Sequence, residues 1–150
     1  MLVNSLLVLG DILMKDQEIA EILKSVRTIA LVGASEKVNR PSYEVMEYLL
    51  HQGYHVIPVS PKLAGQTLLG QLVYEKLSDI NEPIDMVDVF RNAEAAVGIA
   101  QEAVAAKANV LWLQKGVISE EAQKIALEAG VKFVMDRCPK QDIPALGLEK

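Results

Sequence analysis

Cysteine is almost absent from this sequence. Cys138 is the single one, so no disulfide can form within the chain, and a reducing, intracellular setting is expected. His51 and His55 are the two histidines, and with one cysteine they are too few for an ordinary zinc site. A basic excess is missing too. The net charge is −5, which argues against a general nucleic-acid binder. Aromatic residues make up 5%, too sparse for a platform on which single-stranded bases stack. No hydrophobic run is long enough to span a bilayer. The apolar stretch Leu2–Leu9 is short, has no Lys or Arg ahead of it, lacks a small-x-small cleavage site and is closed by Asp11. The expectation is a soluble, cytoplasmic protein with neither nucleic acid nor membrane as partner.

What is present is apolar. Hydrophobic residues form 51% of 150 residues, enough for one core and one domain. That domain is expected over residues 16–150, with residues 1–15 as an N-terminal extension. Asp16–Val26 carries Ile19, Ile22, Leu23 and Val26 at helical spacing, with Asp16 as the expected N-cap. Thr28–Val32 is an apolar run ended by Gly33 and reads as strand one. Pro41 fits the first turn of a helix that buries Val45, Met46, Leu49 and Leu50 and ends before Gly53. Tyr54–Val59 is strand two, and its end, Pro58-Val59-Ser60-Pro61, cannot continue as a sheet interior. Gly65–Ile80 predicts a short extended piece and one helical turn.

Ile84–Phe90 is strand three, followed by a helix from the Asn92 cap to about Ala106. Asn109–Leu113 is strand four, Ser119 caps a further helix that Gly130 ends, and Val131–Met135 is strand five. The tail from Asp136 reads as irregular. Met14, Met46, Met86 and Met135 lie in apolar patterns and are expected in the core. Strands alternating with helices through short connections require right-handed crossovers and a parallel sheet. Near-continuous apolar strands fit a sheet covered on both faces. The predicted fold is α/β: a doubly wound, five-stranded parallel sheet, Rossmann-like, in the order 3-2-1-4-5.

Ligands of such sheets bind outside the carboxyl ends of the strands, at the switch point beside strand one. Strand one ends in Gly33-Ala34-Ser35 and strand two in Ser60-Pro61-Lys62. Strand three ends in Phe90-Arg91, strand four in Gln114-Lys115 and strand five in Asp136-Arg137-Cys138. Four of these five ends carry Lys or Arg, which predicts an anionic ligand laid across that edge. A dinucleotide is disfavoured. The loop after Gly33 lacks the second and third glycines of G-x-G-x-x-G, and strand two ends without the acidic residue that holds a ribose diol. No G-x-x-x-x-G-K-[ST] phosphate loop is present either.

The segments TIALVGAS, RPSYEVMEYLLHQGYHVIPVSP, VDVFR, VLWLQKGV and MDRCPK, in this order between Thr28 and Lys140, resemble the small stand-alone CoA-binding proteins. These are similar to the CoA-binding domain of the succinyl-CoA synthetase alpha subunit. The resemblance implies a Rossmann-like fold that binds coenzyme A. The matching positions are Gly33, Ala34 and Ser35; Ser60, Pro61 and Lys62; Val89, Phe90 and Arg91; and Leu113, Gln114 and Lys115. It implies no catalytic histidine, because neither His51 nor His55 falls in a matching motif.

Physical chemistry adds detail. Ser35 and the N–H groups after it can hold phosphate near a helix N-terminus. Arg40 and Lys62 can meet the remaining phosphate charge. Phe90 can pack on the ligand or on the core. Cys138, between Arg137 and Pro139, can be read as a thiolate that forms a mixed disulfide with CoA, or as a buried packing residue. Asp85, Asp88 and Asp136 are expected to be structural, partnered by loop amides or Arg91. The expected function is binding of CoA or a short acyl-CoA without catalysis, as a carrier, sensor or thiol-protecting protein. The alternatives are a subunit of a CoA-dependent ligase or transferase, or a nucleotide-dependent oxidoreductase. A homo-oligomer and a larger partner subunit both stay open.

Overall fold

The structure is a computed structural model and describes residues 15–150. The expected extension, apart from residue 15, and the core role expected of Met14 fall outside them. Helix α1 covers residues 15–25. Then follow β1 (Thr28–Val32), α2 (Pro41–His51), β2 (His55–Val59), β3 (Thr67–Leu68) and β4 (Gln71–Leu72). After a 3₁₀ turn at Leu77–Asp79 come β5 (Met86–Val89), α3 (Ala93–Ala105), β6 (Val110–Leu113), α4 (Glu120–Glu128), β7 (Lys132–Val134) and α5 (Pro139–Ala145). The five long strands form one parallel sheet.

Strand parity sorts the core into two layers. Ile29, Leu31, Val56, Met86 and Trp112 point toward α1, α2 and α5 and meet Ile19, Leu23, Met46, Leu49 and Ile143. Ala30, Val32, Val87, Val89 and Leu111 point the other way, toward α3 and α4. There the helices present Ala96, Ala100, Ala103, Ala122 and Ala126, all fully buried. Alanine lets those helices lie close to the sheet, and side-chain burial of this kind is the main favourable term in folding. Two helix caps are those the sequence predicts. Asn92 accepts from the Ala95 N–H at 2.8 Å and Ser119 from the Ala122 N–H at 3.1 Å.

The doubly wound, Rossmann-like class and the five-stranded parallel sheet are as expected. The sheet runs β2-β1-β5-β6-β7. The order 3-2-1-4-5 describes it once the segment at Tyr74, which bridges Val59 in parallel outside β2, takes the third place in chain order. The strand expected at Ile84–Phe90 is then the fourth and lies beside β1, and β7 is added at the far border. Tyr74 occupies the outer edge of β2 through two bonds. It donates to the Pro58 carbonyl at 3.0 Å, and Ser60 donates to the Tyr74 carbonyl at 2.9 Å. Pro58 has the same parity as Ser60, so its missing N–H faces this edge and not β1. A proline is tolerated there and would break a ladder in the sheet interior.

Gly65–Ile80 has the expected extended piece and helical turn, the latter at Leu77–Asp79. The extended piece is a hairpin, β3–β4, turned by Leu69 at φ 49° and Gly70 at φ 80°, the positive pair that a type I′ turn requires. Two local expectations change. The tail is not wholly irregular, since α5 starts with Pro139 at its first positions and is followed by Gly147 at φ 72°. Asp16 does not cap α1, because residue 15 is already helical. Its carboxylate instead accepts from Arg137 Nη2 at 3.2 Å, while Asp142 takes the same guanidinium at 2.9 and 3.1 Å. This fork ties α1 to α5. Arg137→Met leaves the buried Asp142 carboxylate without its partner and should lower unfolding stability by about 2 kcal/mol. Urea denaturation read by far-UV circular dichroism measures it, and an unchanged midpoint would show the fork to be neutral.

Candidate functional site

A cavity of about 770 Å³ opens at the carboxyl edge of the sheet, where β1 lies between β2 and β5. The chain leaves β1 on one side toward β2 and returns on the other to β5, so the loops diverge there and leave a crevice. Gly33 makes the sharp exit from β1 at φ 92°. A Cβ at this position would meet the Phe90 carbonyl oxygen at 2.7 Å. The Gly33 and Ala34 N–H groups both donate to the Val59 carbonyl, at 3.1 and 3.3 Å. These two donors are therefore used inside the fold, pinning the loop to β2.

Ser35 stands ahead of α2, which begins at Pro41. It lies in the loop, where its Oγ accepts from the Lys37 N–H at 3.1 Å. The helix begins at Pro41, with Arg40 as N-cap and no side-chain cap bond. The positive end of the helix dipole thus faces the cavity through Arg40, Pro41 and the buried Ser42.

The structure brings most of the expected residues together. Gly33, Ala34, Ser35 and Arg40 line the cavity from the β1–α2 loop, Ser60 and Lys62 from the end of β2. Phe90 and Arg91 line it from β5, Gln114 and Lys115 from β6. Phe90 lines the cavity and also packs on the core. Pro61, Val89, Leu113 and Cys138 are not in the lining. Val89 and Leu113 are fully buried under α3 and α4. Pro61 turns to a second cavity of about 510 Å³, which shares Gly33 and Arg91 with the first. Cys138 is buried at the N-cap of α5, and only Gln141, three residues on, reaches the lining. Arg137, counted among the strand-end cations, is held by Asp16 and Asp142.

Sequence reasoning missed Lys37, Ser42, Asn92 and Gln141. Lys37 was readable as a cation in the loop after strand one. Ser42 and Gln141 were not, because their place depends on how α2 and α5 aim their first turns. With Lys37 included, five cationic side chains surround the cavity: Lys37, Arg40, Lys62, Arg91 and Lys115, against the single carboxylate of Glu36.

The other electrostatic feature lies among the acidic residues of the sheet and its ends. Asp85 and Asp136 are partnered as expected. Asp85 Oδ2 accepts from the Arg27 and Thr28 N–H groups at 2.9 Å each, and Asp136 accepts from the Gly116 N–H at 2.8 Å. Asp88 corrects that expectation. It is fully buried in the middle of the sheet, and neither of its oxygens has a partner among the described residues. Burial pushes its carboxyl well above the usual carboxylate range. Gln114 is 7% exposed, and its Oε1 is also buried without a partner among the described residues.

No helix among the described residues is long and apolar enough to cross a membrane. The uncharacterized protein YneT of Bacillus subtilis (strain 168) is 39% identical over 123 residues, covering 82% of this chain and 90% of YneT. A solved structure from Thermus thermophilus superposes with a TM-score of 0.84 at 38% identity, covering 87% of this chain and 98% of that one. A hypothetical protein from Pyrococcus horikoshii OT3 gives a TM-score of 0.84 at 39% identity, covering 87% and 91%. The family described as CoA binding domain matches residues 27–144, so the chain belongs to the CoA-binding domain family.

Proposed function

We propose that the protein binds coenzyme A, or a short acyl-CoA, in the cavity beside β1 and releases it unchanged. The observation that carries this reading is the ring of Lys37, Arg40, Lys62, Arg91 and Lys115 around one cavity of about 770 Å³, in a chain of the CoA-binding domain family. CoA is an elongated polyanion with a pyrophosphate and a 3′-phosphate. A site formed by separate cations on four loops suits charge spread along a ligand better than one compact phosphate. The neighbouring cavity of about 510 Å³ gives such a ligand room to extend past Arg91.

Calorimetry with CoA and with dephospho-CoA tests the reading. Wild type should release or take up heat with CoA. Lys62→Ala should weaken CoA about tenfold, the value of one charge-assisted hydrogen bond, and dephospho-CoA less if Lys62 meets the 3′-phosphate. Absence of both heat and thermal shift with either ligand would remove the reading. Turnover of acetyl-CoA to free CoA by the purified protein would replace binding with catalysis.

A further inference from the structure

Asp88 is a costly residue to place where it is. It lies on β5 between Leu31 of β1 and Trp112 of β6 in register, and it shares the face of Met86 and Trp112. An apolar residue there would stabilise the fold, since a buried polar group without a partner is unfavourable. Gln114 follows β6 directly and keeps its register, its N–H donating to the Val89 carbonyl at 3.2 Å. It lies two residues past Trp112 and so on the same face as Asp88. With parallel strands about 4.8 Å apart and a rise of about 3.3 Å per residue, such diagonal neighbours are on the order of 8 Å apart, within reach of a glutamine side chain. The two buried oxygen-bearing groups that lack partners among the described residues are thus diagonal neighbours, and Gln114 lines the cavity.

We propose that Asp88 is a positioning residue of the ligand site: in its protonated form it donates its O–H to Gln114 Oε1, which fixes the Gln114 amide so that its N–H groups face the cavity and donate to a carbonyl oxygen of the ligand. A neutral carboxyl is the one form of Asp that can donate, and Gln114 Oε1 is an acceptor in need of a donor. Without this bond the glutamine amide could turn over and present its oxygen to the ligand. The Asp88–Gln114 bond is a property of the free protein. Its consequence for binding rests on the reading of the cavity as a CoA site, whose pantetheine arm and acyl group carry carbonyl oxygens.

Among the described residues, the titratable groups around Asp88 do not offer it a charge partner. On the helices of its face, the carboxylates of Asp16 and Asp142 both accept from the Arg137 guanidinium. Cys138 is buried in the same layer, and Tyr43, Tyr48 and Tyr54 pack at its border. Tyr54 donates to the Leu23 carbonyl and Tyr48 to Glu149. Toward the cavity lie the charged side chains Glu36, Lys37, Arg40, Lys62, Arg91 and Lys115. Burial alone accounts for the raised Asp88 value. The folded protein therefore holds a proton that the unfolded chain releases above about pH 3.9. The sign follows: stability falls as pH rises from that value toward the folded one, and this loss is absent below it.

Three variants read the proposal out. Asp88→Asn keeps a donor for Gln114 Oε1. It should bind CoA as wild type does at neutral pH, lack the alkaline loss of affinity expected of wild type, and be more stable than wild type except in acid. Asp88→Val removes the donor but packs well in a strand. It should be at least as stable as wild type, yet bind CoA about tenfold more weakly, one hydrogen bond's worth. In the free protein, the stability effects of Asp88→Val and Gln114→Met should be non-additive by denaturant unfolding. Wild-type affinity in Asp88→Val would overturn the positioning role. Additive effects of Asp88→Val and Gln114→Met would overturn the bond itself, whether or not CoA binds. Absence of CoA binding by wild type, with non-additivity intact, would remove the ligand reading and leave the bond standing.

Discussion

Gly33→Ala should lower unfolding stability by about 3–4 kcal/mol, a drop in Tm of roughly 6–16 °C for a domain of this size. Two separate effects combine. The backbone is at φ 92°, where any Cβ is unfavourable by about 1–2 kcal/mol. The added Cβ would also stand 2.7 Å from the Phe90 carbonyl oxygen. That oxygen cannot easily retreat, because the Phe90 N–H is bonded to Val32 at 2.8 Å and β1 and β5 are paired along their length. Gly116 separates the two effects. It has φ 90°, and a Cβ added there would have nothing within 4 Å, so Gly116→Ala should lose only the backbone part, about 1–2 kcal/mol. Thermal melts of both variants decide the matter. Equal losses would mean that β1 and β5 give way and that the close approach at Gly33 is soft.

The second large effect is on affinity. Arg91→Glu should weaken CoA binding about 100-fold or more. Arg91 lines both cavities, so a ligand that extends from one to the other passes it. Charge reversal there replaces attraction by repulsion. Near a protein surface one such contact at 4 Å is on the order of 4 kcal/mol before screening, and about 2.7 kcal/mol corresponds to 100-fold. Arg91→Lys keeps the charge but loses the planar fork and should weaken binding far less. Lys132→Glu changes the net charge equally, at the start of β7 on the opposite edge of the sheet, and should leave affinity unchanged. Calorimetry at two salt concentrations measures all three. A Lys132→Glu effect as large as that of Arg91→Glu would show that overall charge, not a local contact, governs binding.

The fold was legible because its strands are covered on both faces. Runs such as Thr28–Val32 and Asn109–Leu113 are apolar at nearly every position, and the alternation with Asn92- and Ser119-capped helices leaves a parallel sheet as the natural arrangement. Which segment stands outside strand two was harder to read. Tyr74 lies in a stretch with no apolar run of strand length, so Ile84–Phe90 took the third place in the count. Pro58 carried a sign of this, because a proline is at home beside a single bridging residue and not between two full strands. The β3–β4 hairpin and α5 were missed because two-residue strands and a seven-residue helix lack a full period of hydrophobic repeat. Only their turn and end residues, Leu69-Gly70 and Pro139 with Gly147, carry a local signal.

The cavity was legible through one rule, that ligands of open α/β sheets sit at the carboxyl ends of the strands. It located Lys62, Arg91, Gln114 and Lys115. It overcounted at Arg137, because sequence does not show that Asp142, five residues on, and Asp16, far upstream, converge on the same guanidinium. It missed Ser42 and Gln141, whose place depends on how α2 and α5 aim their first turns. Asp88 looked like one acidic residue among three. Only the register that puts it between Leu31 and Trp112 distinguishes it from Asp85, whose carboxylate lies at the other end of the strand on free N–H groups.

The segment around Tyr74 that closes the outer side of β2 bears on how the protein behaves at high concentration. An open sheet has two borders at which another chain can add a strand, and such borders promote aggregation. Here the first is covered by Tyr74. The second is β7, a strand of three residues that begins with the exposed Lys132. A short border with a charged residue is a poor template for a further strand. Self-association of this chain should therefore proceed through helix or loop surfaces, and its sheet should not grow by strand addition from a second copy.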